Sequence, residues 1–127
     1  MSVRSPLGTV RGLGSAKEGV NHFWEQRLTG LALVPLGIWF VISVIHLVGG
    51  DYGKFHAWLS NPCNTTLMVL LLVCSFHHAQ LGVQVVIEDY VHGEATKLLA
   101  LIATKFAAAL FGLFSVVAVL RTAFVGG

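Results

Sequence analysis

The chain has 127 residues, 55% of them hydrophobic and 11% charged, with a formal net charge of +2 and a mean hydropathy of +0.77. That length allows one domain at most, and the charged fraction is well under the about 25% of a soluble domain, so membrane lipid is the expected solvent. No basic stripe is present to neutralise phosphates, which argues against nucleic acid as a partner.

The first stretch, Met1 to Lys17, is rich in Gly and Ser and carries Arg4, Arg11 and Lys17. It lacks the apolar run and small-residue cleavage site of a secretory signal. Being basic with little acid, it also resembles a weak mitochondrial presequence. Its presence from Met1 favours a bacterial plasma membrane, with the mitochondrial inner membrane as the alternative. Residues 1–27 are expected to form a cytoplasmic N-terminal segment of a single membrane-anchor domain covering 1–127. Phe23 and Trp24 suit the interface belt just before the first span.

Three apolar blocks then follow, at about 28–48, 66–87 and 98–120. Each is long enough to cross a bilayer, which takes roughly 20 helical residues. None shows strand-like alternation, and only helices satisfy the backbone in lipid without a closed barrel. The fold class expected is therefore all-α, an integral membrane protein with three transmembrane helices. Arg4, Arg11, Lys17 and Arg27 precede the first span and Lys97 follows the second, against Lys54 and Arg121 on the other side. The positive-inside rule places the N-terminus in the cytoplasm.

Within the first block, Pro35 is a potential kink and Gly30 and Gly37 form a packing surface. The loop after it contains Tyr52, Phe55, Trp58 and Leu59, spaced for one face of a short interfacial helix that Asn61-Pro62 ends. In the third block Ala108 and Gly112 make a small-xxx-small pair, and Lys105 lies about two turns inside, able to snorkel. Cys63 and Cys74 are not in metal-ligand spacing and read as free thiols.

The chemistry-bearing residues cluster in and around the second block. Histidine in a membrane is costly and points to function by default. His77 and His78 are adjacent, so they point about 100° apart and cannot both face one site. His78 shares a face with Gly82 one turn later, and with Asp89. An imidazole with a missing side chain beside it fits a haem pocket; a packing histidine bonded to a neighbouring carbonyl is the other reading. The span places His78 roughly 14 Å from the cytoplasmic end, near mid-membrane. His46 is too far away in depth to pair with it, so a second axial ligand has to come from another chain. Where the helix leaves the membrane stand Glu88, Asp89 and Tyr90. Tyr90 is either an interface anchor or a hydroxyl donor to a quinone carbonyl. Carboxylates at a helix C-terminus oppose the macrodipole, which hints at a role beyond stability. Arg27, at the start of the first block on the same side, either snorkels to phosphates or meets a haem propionate or quinone. His22 and His92 at that boundary have the choice of propionate, quinone or water.

Taken together, His78-Ala79-Gln80-Leu81-Gly82, then Glu88-Asp89-Tyr90-Val91-His92-Gly93, with Arg27-Leu28-Thr29 upstream, resemble the small cytochrome b membrane-anchor subunit of succinate dehydrogenase. The resemblance covers the chain from about Gly19 onward. It implies a bundle with a second cytochrome b anchor subunit and haem b shared between the two. It also implies an iron–sulfur subunit and a flavoprotein subunit docked on the cytoplasmic side, with FAD and the iron–sulfur clusters held only in those partners. Electrons from succinate would then pass to ubiquinone. His78 takes the position of axial ligand to the haem iron, Arg27 that near the propionates and quinone pocket, and Tyr90 with Asp89 the quinone-contacting position. Glu88 stands where relatives often have threonine, and His77 and Lys105 have no role carried over. A cofactor-free structural anchor, and a haem b subunit of another membrane oxidoreductase, are the alternatives.

Overall fold

The computed structural model describes residues 6–10 and 17–126. After a short helix α1 (Pro6–Val10), three long helices dominate: α2 (Lys17–Leu47), α4 (Pro62–Tyr90) and α5 (Glu94–Val125), with a short helix α3 (Tyr52–Leu59) between the first two. All three long helices are apolar and long enough to cross a membrane. The protein is a three-span helical membrane bundle, as its hydropathy implies.

Each helix is longer than the apolar block that announces it. At 1.5 Å per residue α2 runs about 46 Å, against about 30 Å of bilayer hydrocarbon. Apolarity marks where a helix touches lipid, whereas the helix itself continues until its backbone is capped. α2 therefore begins at Lys17, eleven residues before Leu28, and carries about three further turns of helix that hydropathy does not register. It runs through Pro35 without a break and ends at Leu47, two residues before Gly49, whose φ of 76° is open to glycine.

Capping chemistry sets the other boundaries. The Asp51 carboxylate accepts from the Lys54 amide at 2.9 Å and starts α3. The Asn61 side chain accepts from the Cys63 amide at 2.9 Å and Pro62 occupies the first helical position, which starts α4. Gly126, at φ 81°, closes α5 in the left-handed conformation.

α4 is the central helix, with α2 packed on one side of it and α5 on the other, while α3 seals the far end against α4 and α5. Trp58 of α3 stacks on Trp39 of α2 with centroids 5.7 Å apart. The Ser60 hydroxyl donates to the Ala123 carbonyl at 3.0 Å, and Leu59 is fully buried beneath this cap. At the α4–α5 seam Gly112 faces the Phe76 ring, and a Cβ there would stand 3.4 Å from it, an ordinary contact distance. The two expected packing glycines of α2 divide: Gly30 meets the His78 ring, whereas Gly37 has open space around it.

Among the described residues the only buried hydrophobic side chains are Leu59, Leu81, Ile87 and Ala123. A layer of three helices has two broad faces and little interior. Its exposed Val, Leu, Ile and Phe are an apolar surface far beyond what a water-soluble monomer presents, suited to lipid and to further membrane helices. Cys63 and Cys74 are both free.

Candidate functional site

α2 and α4 run antiparallel, with Thr29 and Gly30 level with His78. Toward the other end of the same seam, Gln26 stands beside Gly82. The early, polar part of α2 thus lies alongside the last three turns of α4. Polar side chains from two helices meet at the level of His78, which hydropathy alone places opposite apolar sequence.

His78 is half-buried, and its Nδ1 lies 3.0 Å from the Thr29 hydroxyl. That hydroxyl is also 2.7 Å from the Glu25 carbonyl and 3.1 Å from that of Gln26. Its single proton goes to the backbone, at the shorter contact with Glu25, so the oxygen accepts from His78 Nδ1–H. The proton on His78 is thereby assigned to Nδ1, and Nε2 keeps its lone pair. Among the described residues Nε2 has no hydrogen-bond partner. A histidine held by Nδ1 with Nε2 free is the form that ligates a metal. Gly30 completes the seat: a Cβ there would come within 3.3 Å of His78 Cε1, closer than packed atoms normally approach.

The imidazole lines a groove of about 810 Å³ on one face of the layer, together with Arg27, His22, Gln26, Gly30 and Phe23. The Arg27 guanidinium stands 5.1 Å above the Phe23 ring, a cation–π contact that holds it at the groove while leaving its donors free. Two buried polar atoms in this groove have no partner, His22 Nε2 and Gln26 Oε1. Buried polar groups are satisfied in the great majority of cases, so an unsatisfied pair marks a missing ligand, water or neighbouring chain.

Of the residues singled out from the sequence, the groove brings together His78 and Arg27. Asp89 and Tyr90 do not join them. Both are exposed at the end of α4, Tyr90 to 77%, and twelve residues of helix separate Tyr90 from His78 by about 18 Å. Gly82, expected to clear space beside His78, faces Gln26 instead, 3.9 Å from its amide nitrogen to a notional Cβ. The clearance comes from Gly30, on the neighbouring helix. Thr29, Gly30 and Gln26 escaped sequence reasoning as site residues. The Arg27-Leu28-Thr29 run was the signal that could have found Thr29.

His77 points elsewhere, as its 100° offset requires. Its Nε2 lies 3.3 Å from the Glu25 carboxylate, and it lines a second groove, between α4 and α5, with Gln80 and Lys105. From there a ladder of side chains continues along α4. Gln80 donates to Gln84 at 3.1 Å, and Gln84 to the Glu88 carboxylate at 3.0 Å. Among the described residues no cluster of three His, Cys, Asp or Glu side chains is arranged to hold a metal ion unaided.

The chain matches, over residues 1–119, the family described as succinate dehydrogenase/fumarate reductase transmembrane subunit. It is 31% identical over 124 residues to a succinate dehydrogenase hydrophobic membrane anchor subunit of Rickettsia bellii, covering 98% of this chain and 96% of that one. It is 29% identical over 93 residues to the subunit of the same description in Paracoccus denitrificans, covering 73% and 72%. Over 88 residues it is 28% identical to a succinate dehydrogenase membrane anchor subunit of Reclinomonas americana, covering 67% and 73%.

Proposed function

The chain belongs to the succinate dehydrogenase/fumarate reductase transmembrane-subunit family, and we propose that it anchors a succinate:ubiquinone oxidoreductase in the membrane, forming one wall of a haem b site and part of a ubiquinone site. The observation that carries this reading is His78 itself, a membrane histidine whose Nδ1 proton is committed to Thr29 and whose Nε2 remains available. The groove's chemistry fits a porphyrin bearing carboxylates. Gly30 leaves room at the imidazole, Arg27 offers a guanidinium to a propionate, and His22 Nε2 and Gln26 Oε1 await a polar partner.

Haem b, when bound, supplies a one-electron redox centre within the membrane. Of this chain's residues, His78 Nε2 would ligate the iron, Thr29 would hold the imidazole in that tautomer and Arg27 would neutralise carboxylate charge. A second cytochrome b anchor subunit would complete the site. Tyr90 and Asp89, a helix length away from His78, serve ubiquinone near the membrane surface: the exposed phenol donates to a quinone carbonyl, with Asp89 beside it. Succinate oxidation takes place in a flavoprotein subunit with FAD, linked by the clusters of an iron–sulfur subunit. Both dock on the cytoplasmic side, where the N-terminus and the α4–α5 loop lie. The relatives in Rickettsia and Paracoccus support a bacterial plasma membrane as the location.

The test is a reduced-minus-oxidised visible spectrum of the detergent-purified complex, beside its His78→Leu variant. A low-spin b-type signal in the parent that the variant loses is the expected result. A signal that survives the substitution removes His78 from the iron, and no signal in the parent leaves a cofactor-free anchor.

A further inference from the structure

His77 has no part in the haem and quinone reading, yet its contact reaches the same turn of α2 that holds His78. Its Nε2 lies 3.3 Å from the Glu25 carboxylate. The main-chain carbonyl of Glu25 accepts from the Thr29 hydroxyl at 2.7 Å, and that hydroxyl meets His78 Nδ1 at 3.0 Å. Glu25 and Thr29 are four residues apart, so they share one face of α2. Neighbouring residues of α4, set about 100° apart around their helix, thus grip a single turn of α2 at two points.

Apolar packing does little to hold that turn. Among the described residues α2 buries no apolar side chain, and its one buried residue, Ser43, lies near the far end of the helix. A helix held at one point is free to roll about it. A roll of about 10° carries a side-chain oxygen, about 5 Å from the helix axis, through about 0.9 Å. That is enough to take the Thr29 oxygen, 3.0 Å from Nδ1, out of hydrogen-bond range. The imidazole has little room to follow, because Gly30 lies so close to it that a Cβ there would stand 3.3 Å from Cε1. A second contact, on a different side of α4, removes the freedom to roll.

We propose that Glu25 and His77 are positioning residues for His78: their contact sets the roll of α2 against α4, and so keeps the Thr29 oxygen on Nδ1 and leaves Nε2 presented to the haem iron. Neither residue lines the groove that contains His78, so both act through Thr29 and the imidazole. The proposal rests on the reading of His78 as a haem ligand.

The experiment compares the full detergent-purified complex with its Glu25→Ala, His77→Leu and doubly substituted forms, at matched subunit content. Haem retention is read by transfer to apomyoglobin, and the midpoint potential by titration of the b-type band. Glu25→Ala removes the carboxylate but keeps the carbonyl that Thr29 bonds. It should release haem at about fivefold lower acceptor concentration, the scale of a partly exposed pair, and raise the potential, as loss of the Nδ1 hydrogen bond requires. His77→Leu should do the same, and tests the contact from α4 where the alanine variant assembles poorly. The double variant should be no worse than either single one, since all three lose the same contact. Parent-like retention and potential in both single variants overturn the proposal, as do additive losses in the double one. Weaker retention at an unchanged potential also overturns it, since the pair then serves bundle packing alone. The haem reading fails separately: in complex freed of haem, the imidazole nitrogen resonances of His78, assigned by difference from His78→Leu, should show the proton on Nδ1 in the parent and mixed tautomers in Glu25→Ala. That change supports the positioning pair even in a complex without a b-type signal, and the same tautomer in both proteins overturns it.

Discussion

Replacing Thr29 with valine removes one oxygen and keeps the branched shape, so it tests the His78 hydrogen bond with little change in packing. In the parent, the Thr29 oxygen lies 3.0 Å from His78 Nδ1 and passes its own proton to the Glu25 carbonyl 2.7 Å away. The carbonyl loses little, since it keeps its place in the α2 backbone ladder. The imidazole loses its only acceptor among the described residues, in a half-buried position. An unmet buried donor costs about 1–3 kcal/mol. Independently, removing the outer partner of a metal-bound histidine costs about 10–100-fold in affinity, or about 1.4–2.7 kcal/mol. The two routes agree, which is why Thr29 is assigned as a positioning residue for the imidazole.

The assay is transfer of haem from the purified complex to excess apomyoglobin, read against covalently unaffected protein content, together with a potentiometric titration of the b-type band. Thr29→Val should surrender its haem at about 10–100-fold lower acceptor concentration. Its midpoint potential should move upward, because a histidine that no longer donates from Nδ1 is a poorer electron donor to the oxidised iron. Thr29→Ser should restore both values. Unchanged haem retention and an unchanged potential in the valine variant would refute the tautomer argument, and a serine variant as defective as valine would show that the methyl group mattered, not the hydroxyl.

Gly30→Val should eliminate most of the b-type signal, since its Cβ alone would sit 3.3 Å from His78 Cε1 and two further methyls must displace the ring; a parent-like spectrum at full expression would show that the imidazole does not need this seat. Tyr90→Phe should slow ubiquinone reduction while leaving succinate oxidation by an artificial acceptor intact, because the exposed phenol lies at the end of α4, far from His78; equal quinone kinetics in both proteins would take Tyr90 out of the quinone site.

The three spans were legible because each is a continuous apolar block, and lipid demands that pattern wherever a helix crosses it. The short helix α3 was legible from the spacing of Tyr52, Phe55 and Trp58 and from Asn61-Pro62, whose capping roles are local in sequence. The first eleven residues of α2 were not: Glu25, Gln26 and Arg27 carry no hydropathy signal, and nothing local says that the helix should start at Lys17. The same limit hid most of the groove. His78 and Arg27 declare themselves by residue type, but the Thr29–His78 contact joins residues 49 apart in sequence. It exists only because α2 and α4 pack in one particular register, and spacing within a single helix cannot supply a register between two.

That register also explains how one helix serves two faces. The contacts of Thr29 and Gly30 with His78 and of Glu25 with His77 mark where α4 meets α2, and the two histidines diverge from there. One flank holds a histidine with a shared hydroxyl, a guanidinium and unpaired polar atoms; the other holds a histidine 3.3 Å from the Glu25 carboxylate and a lysine that makes no ion pair among the described residues. A membrane helix buries polar groups only against something that satisfies them. The first flank has the donors and the ligand nitrogen that the proposed haem site requires. The second gathers His77, Gln80 and Lys105 along a groove between α4 and α5. Because adjacent helix positions point about 100° apart, the two neighbouring histidines commit α4 to two different surfaces.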